Sequence, residues 1–406
     1  MAAADDTSAG TEFTVIEGRS AAFRALVAML ALMVVAGLWA AHRMDVEGHQ
    51  ITGMTNQIVW GLPHVFAIFL IVAASGALNA ASLSSVMGMR IYAPCARLSG
   101  LLAAALLIGG LAIITLDLGR PDRLVVALTH FNMRSVFAWN VFLYTGFLAL
   151  TALYLWTLME RRMGRMVKSV ALVLLVWRIT LTTATGLIFG VLVAREAYDV
   201  AIMAPLFIAM SLSFGTAAFT LVAMAAFDGR GRPLDDAVMR GLARMLALFV
   251  AVVLYFVVVY HVVKLYAASD RGIERFLLLD GGIYPLLFWL GQIAAGSIVP
   301  MVLLLRRGAR ASPRVSRWRI GAACALVLLG GLAQLYVMVI GGQAYPLDIF
   351  PGSDIVESGF FDGVVGHYRP SGVEWLLSLG GVAGALLIVV LSMKVLELVP
   401  RFAGDA

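Results

Sequence analysis

Residues 56–79 read NQIVWGLPHVFAIFLIVAASGALN. After the opening Asn56 and Gln57, apolar side chains run on to Leu78. They are interrupted by His64 and Ser75 and by small residues that lipid tolerates. The apolar run extends to about residue 86, long enough to cross a ~30 Å hydrocarbon core as a helix of roughly 20 residues. Lipid offers the backbone no hydrogen-bond partners, so such a segment must be helical. Pro63 marks its first turn, where a missing N–H is harmless. The stretch therefore predicts a membrane helix that begins at a polar, aromatic, histidine-bearing end.

The rest of the chain repeats this reading. Apolar stretches of span length lie at 21–41, 57–86, 96–118, 135–159, 168–193, 200–227, 239–266, 281–305, 318–340 and 372–399. Of the 406 residues, 61% are hydrophobic and 13% charged. Soluble domains carry about 25% charged residues, so a soluble enzyme, a disordered chain and a fibrous protein are excluded. The expected class is an all-α polytopic membrane protein with ten transmembrane helices in a lipid bilayer.

Cys95 and Cys324 stand far apart with no CxxC spacing. No cysteine-held iron–sulfur cluster, no haem attachment motif and no metal site are expected in this chain. The formal charge of +6 is not read as a nucleic-acid signal. Excess Lys and Arg in membrane proteins marks cytoplasmic loops. The amino-terminal flank, the even-numbered loops and the carboxy-terminal flank hold 20 of these residues, the odd-numbered loops 9. Both termini are therefore expected in the cytoplasm, with the odd-numbered loops outside. Residues 1–20 carry four acids and no cleavable signal peptide is expected.

A weak repeat is visible. Pro63, Gly76 and Ala77 in the second stretch are echoed by Pro205, Gly215, Ala217 and Ala218 in the sixth, and Trp139 is echoed by Trp289. It suggests two four-helix bundles, helices 2–5 and 6–9, flanked by helices 1 and 10. The expected organisation is a tail at 1–20, a first helix and outer loop at 21–56, and a first bundle at 57–193. A second bundle at 200–340, an acidic outer loop at 341–371 and a last helix and tail at 372–406 follow.

Polar groups inside spans are expensive and mark functional sites by default. Here they gather toward the outer ends of the helices. Trp60 and His64, Asp117 and Arg120, then Arg134, Trp139, Asn140 and Tyr144 come from three consecutive helices and the loop between the last two. A quinone would suit them. It has an apolar ring and tail, and two carbonyl oxygens that gain protons on reduction. The His64 imidazole can take up and give back a proton, Asp117 and Arg120 at i, i+3 form an acid–base pair, and Trp139, Asn140 and Tyr144 supply donors and walls. His64, Asp117 and Arg120 are the expected catalytic groups. Trp60, His64, Arg134, Trp139, Asn140 and Tyr144 are the expected quinone contacts. Asp117, Arg178, His261, Lys264 and Glu374 are the expected proton or charge-compensation path. Arg178 is notable for lying deep in a span, followed by Thr180, Thr182, Thr183 and Thr185.

WGLPH at 60–64, DLGRPDR at 117–123 and HFNMRSVFAWNVFLY at 130–144 resemble the NrfD/PsrC family of quinone-interacting membrane subunits. Within it, the ten-helix plan and residues 56–79 are most similar to the DsrP type of DsrMKJOP-like sulfur-metabolism complexes. Met133 and Asn140 stand where many relatives have Pro and Gly. The resemblance implies two four-helix bundles and a quinone site near the outer face of the first, with menaquinone or ubiquinone as substrate. It implies no haem or iron–sulfur cluster in this subunit, and electrons exchanged with an iron–sulfur protein subunit at the outer face. Other membrane and cytochrome subunits of such a complex would complete the partners, in the inner membrane of a bacterium. Two other readings fit the residues alone. His64 and His261 could ligate a b-type haem, and the repeat with Arg178 could belong to a secondary transporter.

Overall fold

In the computed structural model, which describes residues 13–228, 233–305, 316–346 and 364–400, each of the ten apolar stretches is a helix. They are α1 (Ala21–Glu47), α2 (Leu62–Ser85), α3 (Arg90–Asp117), α4 (Val136–Met159), α5 (Arg161–Gly190), α6 (Met203–Phe227), α7 (Asp236–Tyr266), α8 (Ile283–Leu305), α9 (Arg317–Ala344) and α10 (Gly372–Val395). A two-residue antiparallel pairing of Phe13–Thr14 with Val399–Pro400 holds both ends of the described chain at one side. The connections after α1, α3, α5, α7 and α9 lie at the other side, called here the odd-loop end. Asp348, Asp354, Glu357 and Asp362 of the acidic loop, and residues 306–315 of the arginine-bearing connection between α8 and α9, lie outside the described residues.

α2, α3, α4 and α5 pack in one ring and α6, α7, α8 and α9 in another. α1 packs on α10, which leans on α2 and α3. The rings meet where α2 crosses α6. A Cβ on Gly76 would lie 1.7 Å from the Ser211 carbonyl oxygen, and one on Gly215 would lie 2.1 Å from the Gly76 carbonyl carbon. Only glycine allows two backbones this close, and such small-residue contacts drive helix association in lipid. The glycines of the sequence repeat are thus the crossing point itself. Gly296 against Gly330 does the same for α8 and α9.

α2 departs from the expected span in two places. It starts at Leu62 rather than 57, because proline favours the first helical turn. It is also interrupted at Leu78, between Leu62–Ala77 and Asn79–Ser85. α8 contains a π-helical stretch over Leu287–Ile298 and α9 another over Val337–Gly341.

Candidate functional site

The first turn of α2 sets His64 opposite the last turn of α3, where Asp117 ends the helix. Nδ1 of His64 lies 3.0 Å from Oδ2 of Asp117. This is ion-pair distance, but the two groups are not aligned as a hydrogen bond, and neither carboxylate oxygen has another such partner. Catalytic hydrogen bonds are often loose before substrate arrives. The Asp117 side chain is 1% exposed and that of His64 23%. A second imidazole approaches from the loop after α1. His49 donates from Nε2 to the Asp117 main-chain carbonyl at 2.9 Å and stands 3.8 Å from its Oδ1. Two histidines therefore flank one buried carboxylate.

Aromatic rings wall the His64 side. Trp60 stacks on the imidazole at 6.4 Å between centroids and 26° between planes. Phe137, Phe189 and Tyr198 surround Trp60 at 6.3, 5.7 and 6.4 Å. Phe137, 6.3 Å from Trp60, and Leu118, next to Asp117 in the chain, are exposed, as apolar side chains can be where the neighbour is lipid. α3 meets α4 at Gly100 and Leu155, toward the opposite end of the bundle.

The loop that carries Trp60 is irregular backbone, so its polar groups need partners inside the protein. Gln343, near the end of α9, supplies them. Its Oε1 accepts the N–H groups of Val59 and Trp60, both at 3.0 Å, and its Nε2 donates to the Trp60 carbonyl at 3.1 Å. Arg195 donates to the carbonyls of Gln57 and Gln343 at 2.6 and 3.2 Å. Burial holds the Arg195 guanidinium below its ordinary pKa and pushes the Tyr198 phenol above its own. The second bundle thus fixes the mouth of the first.

Several expected residues take other roles. Arg120 does not pair with Asp117. The chain turns at Leu118, and Arg120 reaches Asp122 at 3.0 Å, with both side chains in the open. That contact raises the Arg120 pKa and lowers that of Asp122. Arg134 is exposed on the loop before α4. The Trp139 indole donates to the Met133 carbonyl at 2.7 Å and its ring is exposed, much as Trp289 donates to Leu278 at 3.0 Å. Both are interfacial tryptophans anchoring their own helix starts. Asn140 is buried, donating to the carbonyls of Val136 and Ala184 at 3.0 and 3.2 Å and accepting from Thr185 at 3.2 Å. Its amide ties α4 to α5 and has no free donor for a ligand. The Tyr144 hydroxyl meets Thr185 as well.

The five residues expected along a proton path are not brought together. Arg178 sits at the break in α2, eleven residues past His64 at the level of Ser75, about 16 Å along the axis. Its Nη1 donates to the Ser75 carbonyl at 2.6 Å and to Asn79 Oδ1 at 2.9 Å, while Nε has no hydrogen-bond partner. His261 and Lys264 belong to the second bundle. His261 Nδ1 lies 2.6 Å from Oε2 of Glu274, which is 0% exposed. Lys264 donates to the carbonyls of Glu196 and Tyr198 and pairs with Asp270 at 3.0 Å. Glu374 is a clamp. Its carboxylate accepts from Gly53 N, Ser371 N and the Tyr368 hydroxyl at 2.8, 2.7 and 2.6 Å, and the Tyr368 oxygen accepts Leu62 N at 2.6 Å. Burial, followed by the Glu374 carboxylate, pushes the Tyr368 phenol well up.

His49, Gln343, Phe189 and Glu274 escaped the sequence reading. His49 lies in the short loop after α1, and nothing in its flanks announces a partner 68 residues away. Among the described residues no group of three or more His, Cys, Asp or Glu side chains is placed to hold a metal ion. A cleft of about 680 Å³ lies at the other end among Arg19, Phe23, Val222 and Met393. It contains no imidazole and is remote from the polar cluster.

Known proteins resemble this chain over most of its length. The chain is 28% identical over 97% of its length, and 98% of the other's, to the Hdr-like menaquinol oxidoreductase integral membrane subunit of Archaeoglobus fulgidus. It is 22% identical to a subunit of the selenate reductase of Mesobacillus selenatarsenatis, over 92% of this chain and 93% of that one. It is 27% identical to a putative dimethyl sulfoxide reductase membrane subunit of Halobacterium salinarum, over 94% and 93% of the two chains. Residues 50–346, from just beyond α1 through α9, match the family described as polysulphide reductase, NrfD. With the match spanning both bundles and every residue of the His49–Asp117–His64 cluster except His49, the chain belongs to the NrfD family.

Proposed function

We propose that this chain is the quinone-reactive membrane subunit of an oxidoreductase complex, and that the quinone head group binds at His64 under Trp60. The observation that carries this is the His64–Asp117 pair. A partly accessible imidazole is backed by a carboxylate in apolar surroundings, beside an exposed apolar rim. Nδ1 of His64 faces Asp117, and Nε2 has no hydrogen-bond partner among the described residues. In quinol oxidation Nε2 takes the proton of one quinol O–H, and Asp117 orients the ring and balances the imidazolium, as a base and its orienting acid do elsewhere. Two electrons leave the quinol for a redox centre of a partner subunit. Reduction of a quinone runs the same steps backwards.

The names of the relatives support menaquinone as substrate over ubiquinone, and an assembly with other redox subunits. An iron–sulfur partner docked at the odd-loop end fits the outer position of the pocket, and a DsrMKJOP-like set of subunits is one such assembly. The loop charges support placing this end outside a bacterial inner membrane, with both termini cytoplasmic. In this reading Arg134 and Tyr144 border the pocket without touching the oxygens.

The test is His64→Ala in membranes that hold the assembled complex, with menadiol as donor. Loss of a general acid–base group typically costs about 10²–10⁴-fold in rate, and a fall of that size is expected with the amount of complex unchanged. Tyr260→Phe, which removes one bond to the Ala197 carbonyl in the second bundle, should change the rate little. Wild-type kinetics in His64→Ala would remove the pocket from the first bundle.

A further inference from the structure

A proton taken up by His64 must leave again, and Asp117 cannot deliver it to water itself, because its side chain is 1% exposed. The groups that face Asp117 are few. His64 approaches from α2 and His49 from the loop after α1. Arg120, one turn on, is held by Asp122. Glu374 of α10 is occupied by Gly53, Ser371 and Tyr368, and Glu47 at the end of α1 by Arg43. Besides His64, whose open edge the quinone would cover, His49 is the titratable group among the described residues that touches Asp117 and reaches solvent, with 35% of its side chain exposed. The Nδ1 edge of its ring faces Gly119, where a Cβ would stand 4.0 Å away.

We propose that His49 is the proton port of the quinone site, exchanging protons between Asp117 and the water at the odd-loop end. This rests on the quinone reading above and adds the exit to it. In quinol oxidation, two O–H bonds break and two electrons pass to an iron–sulfur or haem centre of the partner subunit. The proton of the O–H at His64 goes to His64 Nε2, and a proton passes from His64 Nδ1 to the Asp117 carboxylate. The carboxyl gives one to Nε2 of His49 in its Nδ1–H tautomer. The O–H at the far end of the ring gives its proton to water. His49 loses its Nδ1 proton to water, turns the Nε2–H back to the Asp117 carbonyl, and regains the Nδ1–H tautomer by proton exchange with water. The 3.8 Å between Oδ1 and Nε2 is closed by a small swing of the imidazole, which already pivots on the carbonyl 2.9 Å away. His49 acts through Asp117 and does not touch the quinone.

The discriminating variant is His49→Gln. Its amide can still donate to the Asp117 carbonyl, so any purely positioning role survives, but it cannot carry a proton. With menadiol as donor and the complex assembled in membranes, the expected result is a kcat lower by about 10²-fold at unchanged KM. His49→Ala should be as slow, and added imidazole should restore part of its rate. Wild-type kcat in His49→Gln, or no recovery of an assembled His49→Ala complex by imidazole, overturns the port. A slow His64→Ala beside a fast His49→Gln defeats the port alone, whereas a fast His64→Ala defeats the quinone reading itself.

Discussion

The two bundles each hold an imidazole–carboxylate pair near the odd-loop end, and the pairs differ in almost everything else. His261 and Glu274 are closed in. They meet at 2.6 Å in a formed hydrogen bond, with Tyr260 and Phe288 edge-on to the ring at 4.8 Å on either side. The cavity beside them is about 30 Å³, room for a water and nothing larger. His64 and Asp117 are left unaligned, with a stacked tryptophan, a second histidine and an exposed apolar rim. A buried pair joined by a formed hydrogen bond supports structure, even with Glu274 Oε1 left without a hydrogen-bond partner. An under-satisfied pair with access to lipid on one side and water on the other can do chemistry. The contents of the two clusters are alike, and their surroundings decide what each can do.

The sharpest way to break this comparison is to neutralise each acid in turn. Asp117→Asn should slow quinone-linked turnover by about 10²–10⁴-fold with the protein still assembled. Glu274→Ala should spare turnover in the assembled complex but lower stability by about 3–5 kcal/mol, the cost of stranding a partner of a buried pair, read as a lower melting temperature in detergent. Equal kinetic losses would mean that both bundles serve the quinone. Replacing both members sharpens the contrast. His261→Leu with Glu274→Leu should recover most of that stability, since apolar replacements of buried pairs are often neutral or better. His64→Leu with Asp117→Leu should be stable and inactive.

A smaller effect is expected where the bundles touch. Gln343→Ala leaves the N–H groups of Val59 and Trp60 without partners, at about 1–3 kcal/mol for each buried donor. Turnover should fall with stability, because Trp60 loses its anchor. Smallest of all, Arg120→Ala should leave both turnover and melting temperature at wild-type values, since its partner Asp122 is as exposed as it is. A large kinetic effect there would return Arg120 to the site.

The ten helices were legible because lipid leaves a chain few options, and length with hydropathy is enough to detect them. That His64, Asp117 and Trp60 come together was legible for a related reason. Polar groups are costly at helix ends in a membrane, and the i, i+4 spacing of Trp60 and His64 places them on one face. The pairing of Asp117 with Arg120 was misread because the i, i+3 rule holds inside a helix, and the helix ends at Asp117. Trp139 and Asn140 were misread because the side-chain type does not say which backbone carbonyl will be nearest. His49 and Gln343 were invisible for a third reason. Their partners come from far along the chain, and only packing brings them close. The break at Leu78 left no signal beyond a run of small residues, while the glycines of the repeat foretold a close crossing.

Arg178 carries its charge in the hydrocarbon layer, beneath the His64 pocket, held by the Ser75 carbonyl and Asn79. No ion pair to its guanidinium is found among the described residues. A fixed cation in a pore wall repels cations and protons. A proton crossing between α2 and α5 would meet this charge, and the first bundle below the proposed quinone site would then act as an electrical insulator more than a wire. Protons from a quinol at His64 would then stay on the side where they are released. Electrical work against the membrane voltage, about 2.3 kcal/mol per charge for each 100 mV, would fall to electrons crossing the bilayer or to a path outside this bundle.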